Sequence, residues 1–145
     1  MRERWITCLM LLIGSYCVCS ARCLAWQRDR HCFGEQTVYF QPGSSVVNLE
    51  AKRQIAEVAS YLKNHPSTAV TIEGHCDDRG SEEHNRALGE RRARAVGKEL
   101  ARLGVPTERI DTISFGKDRL ADPGHDAKAH QKNRHAEFVL LTPPE

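Results

Sequence analysis

The chain is 145 residues long, 28% charged and 40% hydrophobic, with a formal charge of +2. Arg2, Arg4 and Arg22 against Glu3 account for that surplus, so residues 23–145 carry as many acidic as basic side chains. A balanced folded part argues against a nucleic-acid binder, which needs a basic surplus on its surface. The stretch beyond the leader is long enough for one domain with its own core.

The N-terminus places Arg2 and Arg4 before an apolar run from Trp5 to Ile13, followed by small and cysteine residues. The run is too short to span a bilayer, so residues 1–22 read as an export signal. Cys8, Cys17, Cys19, Cys23 and Cys32 all precede the globular region, and Cys76 stands alone in the body. That clustering does not make a disulfide framework. A cysteine just after an apolar signal region can accept a lipid anchor, which makes Cys17, Cys19 and Cys23 the lipidation candidates. They follow Tyr16, Val18 and Arg22 rather than a small residue, so ordinary cleavage near Ala21 or Ala25 is the alternative.

Residues 23–36 are polar and irregular and read as a tether, leaving 37–142 as the folded domain. Thr37-Val38-Tyr39-Phe40 is β-branched and aromatic, a strand, closed by the turn residues Gln41-Pro42-Gly43-Ser44-Ser45. From Leu49 to Asn64 the apolar positions Ala51, Ile55, Val58, Ala59 and Leu62 recur at helical spacing. Pro66 ends that helix by disfavouring helical geometry at His65. Ala69 to Glu73 alternates as a strand, with Val70 and Ile72 on one side. After the turn Gly74 to Gly80, Ser81 is the N-cap of a second helix with Glu82 and Glu83 in its first turn, and Gly104 is its C′ residue. Ile110 to Phe115 is a third strand, Gly116 to Asp126 a long loop, Ala127 to Asn133 a short helix and Ala136 to Leu141 the last strand. The order β-α-β-α-β-(α)-β predicts an α+β two-layer sandwich, one mixed sheet with helices on one face.

One residue breaks the pattern. Leu88, Arg92, Ala95, Val96 and Leu103 share a helix face, which puts Arg92 inside an apolar stripe. Arginine cannot shed its charge, so this position demands an anion. Asp77, in the turn before the helix, can meet it as an internal salt bridge. Alternatively the two side chains form a clamp for a zwitterion, Arg92 holding a carboxylate by its planar fork and Asp77 an ammonium. Spacing alone leaves both open.

Other chemistry is weakly signalled. His75, Cys76, Asp77 and His84 crowd together, but their spacing matches no zinc or calcium arrangement, so no metal site is expected. Cys76 lacks an orienting group for nucleophilic work and reads as a buried thiol. No paired carboxylates, triad or phosphate-binding glycine loop can be assembled, so neither an enzyme nor a cofactor is expected.

The block Thr71-Ile72-Glu73-Gly74-His75-Cys76-Asp77-Asp78-Arg79-Gly80-Ser81, then Asn85 and Leu88-Gly89-Glu90-Arg91-Arg92-Ala93, resembles the signature of the OmpA-like C-terminal domain family. Within that family it is most similar to the branch of peptidoglycan-associated lipoproteins. The likeness continues through Val38-Tyr39-Phe40, Ser114-Phe115-Gly116-Lys117, Gly124-His125-Asp126 and Lys132-Asn133-Arg134. It implies a non-catalytic domain that grips the peptide stem of peptidoglycan at its diaminopimelate. On that resemblance Asp77 and Arg92 contact the ligand's charged groups, Ser81 and Leu88 line the pocket, and Asn85, Asn133 and Arg134 support it. It also implies the periplasmic face of the outer membrane, reached through a lipid anchor where a cysteine is acylated, with a TolB-like periplasmic protein as partner in a Tol–Pal-type system. The competing reading is a protein-interaction subunit of an envelope or motor assembly whose wall binding is secondary. Three departures stand out: Gln41-Pro42-Gly43-Ser44 where the family carries acidic residues, Cys76 for a small residue, and His135 for a second basic one.

Overall fold

The computed structural model describes residues 36–142 and the backbone of residues 27–29. The segment read as an export signal and the lipidation candidates Cys17, Cys19 and Cys23 lie outside the described residues. The elements run β1 (Gln27–Asp29), β2 (Thr37–Tyr39), α1 (Leu49–Asn64), β3 (Ala69–His75), α2 (Glu82–Arg102), a 3₁₀ turn at Thr107–Arg109, β4 (Ile110–Gly116), α3 (Ala127–Asn133) and β5 (His135–Thr142). They form one mixed sheet in the order β1-β5-β3-β4, with β2 also on β5. The pair β3–β4 is parallel, joined by the α2 crossover, and β5 runs antiparallel to β3, β2 and β1. The α+β sandwich expected from the element order is the fold observed.

The segment read as an irregular tether contains a strand. β2 covers only Glu137 to His135 of the long strand β5, and β1 takes the free edge at Leu140–Thr142. Pairing with an open edge uses backbone groups alone, so it left no apolar pattern in the sequence.

The core lies between the sheet and the helices. Val70 and Ile72 of β3, Ala136 and Leu140 of β5 and Val38 of β2 meet Ile55, Val58 and Leu62 of α1 and Ala93, Val96 and Leu100 of α2. All five apolar positions read for α1 are buried. On α2 the buried stripe runs Asn85, Leu88, Gly89, Arg92, Ala93, Val96, Gly97, Leu100. It is centred beside the predicted one: Ala95 and Leu103 fall at its margins, and Ala93 and Leu100 belong to it. Both predicted ends of α2 hold, with Ser81 Oγ accepting from His84 N at 3.2 Å and Gly104 at φ 91°.

Two glycines set how closely α2 sits on the sheet. A Cβ on Gly74 would stand 2.0 Å from the Gly89 carbonyl oxygen, and one on Gly89 would stand 2.3 Å from Ser114 Oγ. The β3–β4 register shifts between Gly74 and His75, so that His75 faces Gly116 and Cys76 N donates to Gly116 O at 2.7 Å. This irregularity ends the ladder and turns the chain into the segment that carries Asp77.

Candidate functional site

Arg92 rises from α2 beneath the C-terminal end of β3 and is fully buried. Its guanidinium is spent on neutral groups. Nε donates to Ser44 O at 2.9 Å, Nη1 to His75 O at 2.8 Å and to Cys76 Sγ at 3.3 Å, and Nη2 to Gln41 O at 3.2 Å. The Phe40 ring lies 5.2 Å from the charge. Burial pulls the Arg92 pKa below its ordinary value, opposed by Cys76 and Asp77. The side chain thereby ties the loop after β2 to the end of β3.

Asp77 looks elsewhere. Its Oδ2 accepts from Arg79 Nη2 at 2.7 Å and from Arg134 Nη1 at 3.4 Å. The internal Asp77–Arg92 salt bridge is not among the ion pairs of the described residues. The premise that Arg92 demands an anion is corrected: three carbonyl dipoles, held on two backbone segments, satisfy a forked donor without one. Burial raises the Asp77 pKa, but the hydrogen bonds and charge of Arg79, with a bond from Arg134, outweigh it and hold the carboxyl below its usual range. Arg79 is 57% exposed in its side chain, so it covers Asp77 from the solvent side.

Above these groups is an open depression of about 300 Å³ lined by Pro42, Gly43, Asp77, Arg79, His84, Asn85 and Leu88. Of the residues singled out from sequence, Asp77 and Leu88 line it together with Asn85. Arg92 lies under its floor, screened by the 41–44 backbone. Ser81 is exposed on the outside as the helix cap and is not a lining residue. Asn85 is held by its amide to Arg79 O at 2.9 Å, and its own carbonyl accepts from Cys76 Sγ at 3.3 Å. The residues read as supports make the following contacts. Arg134 Nε donates to Phe40 O at 3.2 Å, and Asn133 exchanges two hydrogen bonds with the Asp122 backbone at 2.7 and 2.8 Å.

Sequence reasoning missed Arg79, His84 and the Pro42–Gly43 wall. Arg79 sits beside Asp77 in the motif, but nothing in its spacing separates a lid from a solvated charge. The crowd His75, Cys76, Asp77 and His84 is dispersed: His84 lines the depression, Cys76 is buried under α2, and the His75 ring points to the opposite face of the sheet. Cys76 is a buried thiol, as read from sequence, and burial raises its pKa, with Arg92 opposing.

Comparison with known proteins matches residues 39–134 to the OmpA family. A peptidoglycan-associated lipoprotein of Legionella pneumophila is 51% identical over 81 residues, 56% of this chain and 46% of that protein. Its counterpart in Brucella melitensis is 40% identical over 103 residues, 71% of this chain and 61% of that protein. Among solved structures, the peptidoglycan-associated lipoprotein of Burkholderia pseudomallei superposes with a TM-score of 0.72 at 35% identity, covering 77% of this chain and 96% of that one. The chain thus spans about half to three-fifths of the length of these curated relatives.

Proposed function

The chain belongs to the OmpA family, and from that premise we propose that it is a non-catalytic peptidoglycan-binding domain that tethers the outer membrane to the cell wall. The ligand is the diaminopimelate of the peptide stem, gripped by Asp77 and Arg92 with Leu88 beside them. What supports this reading is that one depression offers a carboxylate, Asp77, and a wall, Pro42–Gly43, whose flanking Gln41 and Ser44 carbonyls hold a guanidinium behind it.

Binding in this scheme is two exchanges. The ligand ammonium replaces Arg79 on Asp77, and Arg79 returns to water at little cost because it is already more than half exposed. The ligand carboxylate replaces the Gln41 carbonyl on Arg92, the longest of the oxygen contacts at 3.2 Å. A charged acceptor then stands where a neutral one stood, which about doubles the strength of the bond. The loop 41–45 has to shift for this to happen. Its exposed residues and its Gly43, at φ 64°, leave it free to do so. Each contact is individually weak, and repeating stems on a polymeric wall supply the avidity.

A Tol–Pal-type assembly with a TolB-like partner, and a lipid anchor on Cys17, Cys19 or Cys23 at the periplasmic face of the outer membrane, complete the proposal. Residues 1–22 are its signal, 23–36 its link and 37–142 its binding domain. Mass spectrometry of the mature N-terminus reads which cysteine carries the anchor.

The test is sedimentation of the full chain with isolated peptidoglycan. Asp77→Asn and Arg92→Lys, each verified as folded, are expected to remain in the supernatant, and a diaminopimelate-containing muropeptide is expected to release the parent chain. Complete sedimentation of both variants would rule out the clamp. Appearance of soluble muropeptides would show hydrolysis instead.

A further inference from the structure

On the sheet face away from α1 and α2, two cross-strand rows of polar side chains stand side by side. Glu73 of β3 lies opposite Glu137 of β5. The next same-face positions are His75 and His135, whose rings stack at 4.4 Å with planes 8° apart. Like carboxylates directly opposite each other destabilise an antiparallel pair, and most of this cluster is not solvated surface. Glu73 is 1% exposed, His75 4% and His135 2%. Three of their buried polar atoms have no hydrogen-bond partner: Glu73 Oε1, His75 Nε2 and His135 Nδ1. Buried polar atoms are almost always paired, so three together call for an explanation.

The tautomers are set by the neighbours. His75 Nδ1 is 3.1 Å from the Arg119 carbonyl oxygen, which can only accept. Nδ1 therefore carries the proton, and Nε2 presents a lone pair. His135 Nε2 is 3.2 Å from Glu137 Oε1, so the proton sits there and Nδ1 is the bare nitrogen. A ring N–H fixed on a backbone carbonyl is the outer-shell bond that orients metal-ligating histidines. One donor atom from each of His75, His135 and Glu137 lies within 4.8 Å of the others. They border a cavity of about 150 Å³ roofed by Arg119 to Ala121, room for an ion and a few waters.

We propose that His75, His135 and Glu137 form a binding site for a divalent transition-metal cation of the zinc class. Two imidazoles and a carboxylate are a donor set for such ions, and they leave a fourth position open to water or to Glu73. The site requires movement. Donor atoms around a tetrahedral ion stand roughly 3.4 Å apart at metal–nitrogen distances of about 2.0–2.1 Å, so the three must close, and the parallel rings must splay until both lone pairs converge. Glu137, 41% exposed in its side chain, exchanges its 3.2 Å contact with His135 Nε2 for the ion. At present Arg119, 3.2 Å from Glu73 and stacked 4.3 Å over the Phe115 ring, supplies the positive charge of the cluster. A bound cation takes over part of that role. The site faces away from the wall-binding depression and is independent of the function proposed for it.

The experiment is calorimetric titration of the untagged full chain with zinc chloride. Its accessible thiols are first alkylated under native conditions, so that the leader cysteines are silent while buried Cys76 is spared. One equivalent is expected to bind, with proton NMR shifts at the His75 and His135 rings. His135→Gln is expected to abolish binding. Glu137→Gln, a change at a half-exposed position that leaves the fold intact, is expected to weaken it about tenfold or more. No heat from the parent chain at millimolar zinc, full affinity in either variant, or binding that leaves both rings unshifted would each overturn the proposal.

Discussion

If Arg92 existed only to hold a ligand, its removal would stabilise the empty protein by relieving a buried charge. The observed hydrogen bonds predict the opposite for Arg92→Ala. Four acceptors lose their donor: Ser44 O, His75 O, Gln41 O and Cys76 Sγ. Gln41 is exposed and Ser44 half-buried, so those two carbonyls can turn to water. His75 O cannot, because it lies at the buried end of β3 under α2. Losing a charged donor at such a carbonyl costs about 1.5–3 kcal/mol. The void left by a truncated side chain and the loosened 41–45 loop add to this, and release of the guanidinium to solvent subtracts. The net expectation is about 2–4 kcal/mol of destabilisation, at the severe end of single substitutions. For a domain of this size that is a fall in Tm of very roughly 10–25 °C. Urea unfolding followed by circular dichroism, with an unchanged m-value, measures it, and hydrogen exchange at residues 43–47 should accelerate. A change of less than about 0.5 kcal/mol in either direction, the usual surface range, would refute the view that Arg92 fastens the loop to β3.

The closeness of α2 to the sheet gives a second prediction. Gly74→Ala forces a Cβ against the Gly89 backbone and should destabilise the fold by roughly 1–3 kcal/mol or more, read as a lower urea midpoint; a neutral substitution would mean that the helix can lift off freely. A third concerns the loop before α3. Asp122 titrates below its usual 3.8 because Lys132 Nζ and then the Gly124 amide hydrogen-bond its carboxylate. A depressed acid stabilises the fold above about pH 3.8 and loses that contribution as pH falls through its lowered folded-state value. A carbon-detected NMR titration of Lys132→Ala should show the Asp122 midpoint moving up towards 3.8, and an unmoved midpoint would remove Lys132 as the cause.

The helices were legible because each announces itself locally. Five apolar residues at helical spacing mark α1, and Ser81 and Gly104 bracket α2. The place of Arg92 on the buried face was equally local. What satisfies it was not, since Gln41 and Ser44 are 51 and 48 residues away and act through carbonyl groups that every residue possesses. The charge rule led to an anion where the fold supplies dipoles. Arg79 over Asp77 and the strand at Gln27–Asp29 were missed for related reasons. The first is a side-chain conformation, the second a pairing of backbone with backbone.

His135 shows the same limit from the other side. In the sequence it is one departure from a basic residue, far along the chain from His75. Only the antiparallel register of β3 and β5 sets the two rings in contact. His75 then belongs to both faces of the sheet: its carbonyl accepts from Arg92 below α2, while its ring turns to His135. Replacing His75 would disturb the strand end that anchors Arg92 and the imidazole cluster together, and loss of wall binding could not be told from loss of metal. His135 and Glu137 touch only the second face, and Asp77→Asn alters only the first. A chain that loses zinc but still sediments with peptidoglycan, and one that does the reverse, would separate the two sites that meet at this residue.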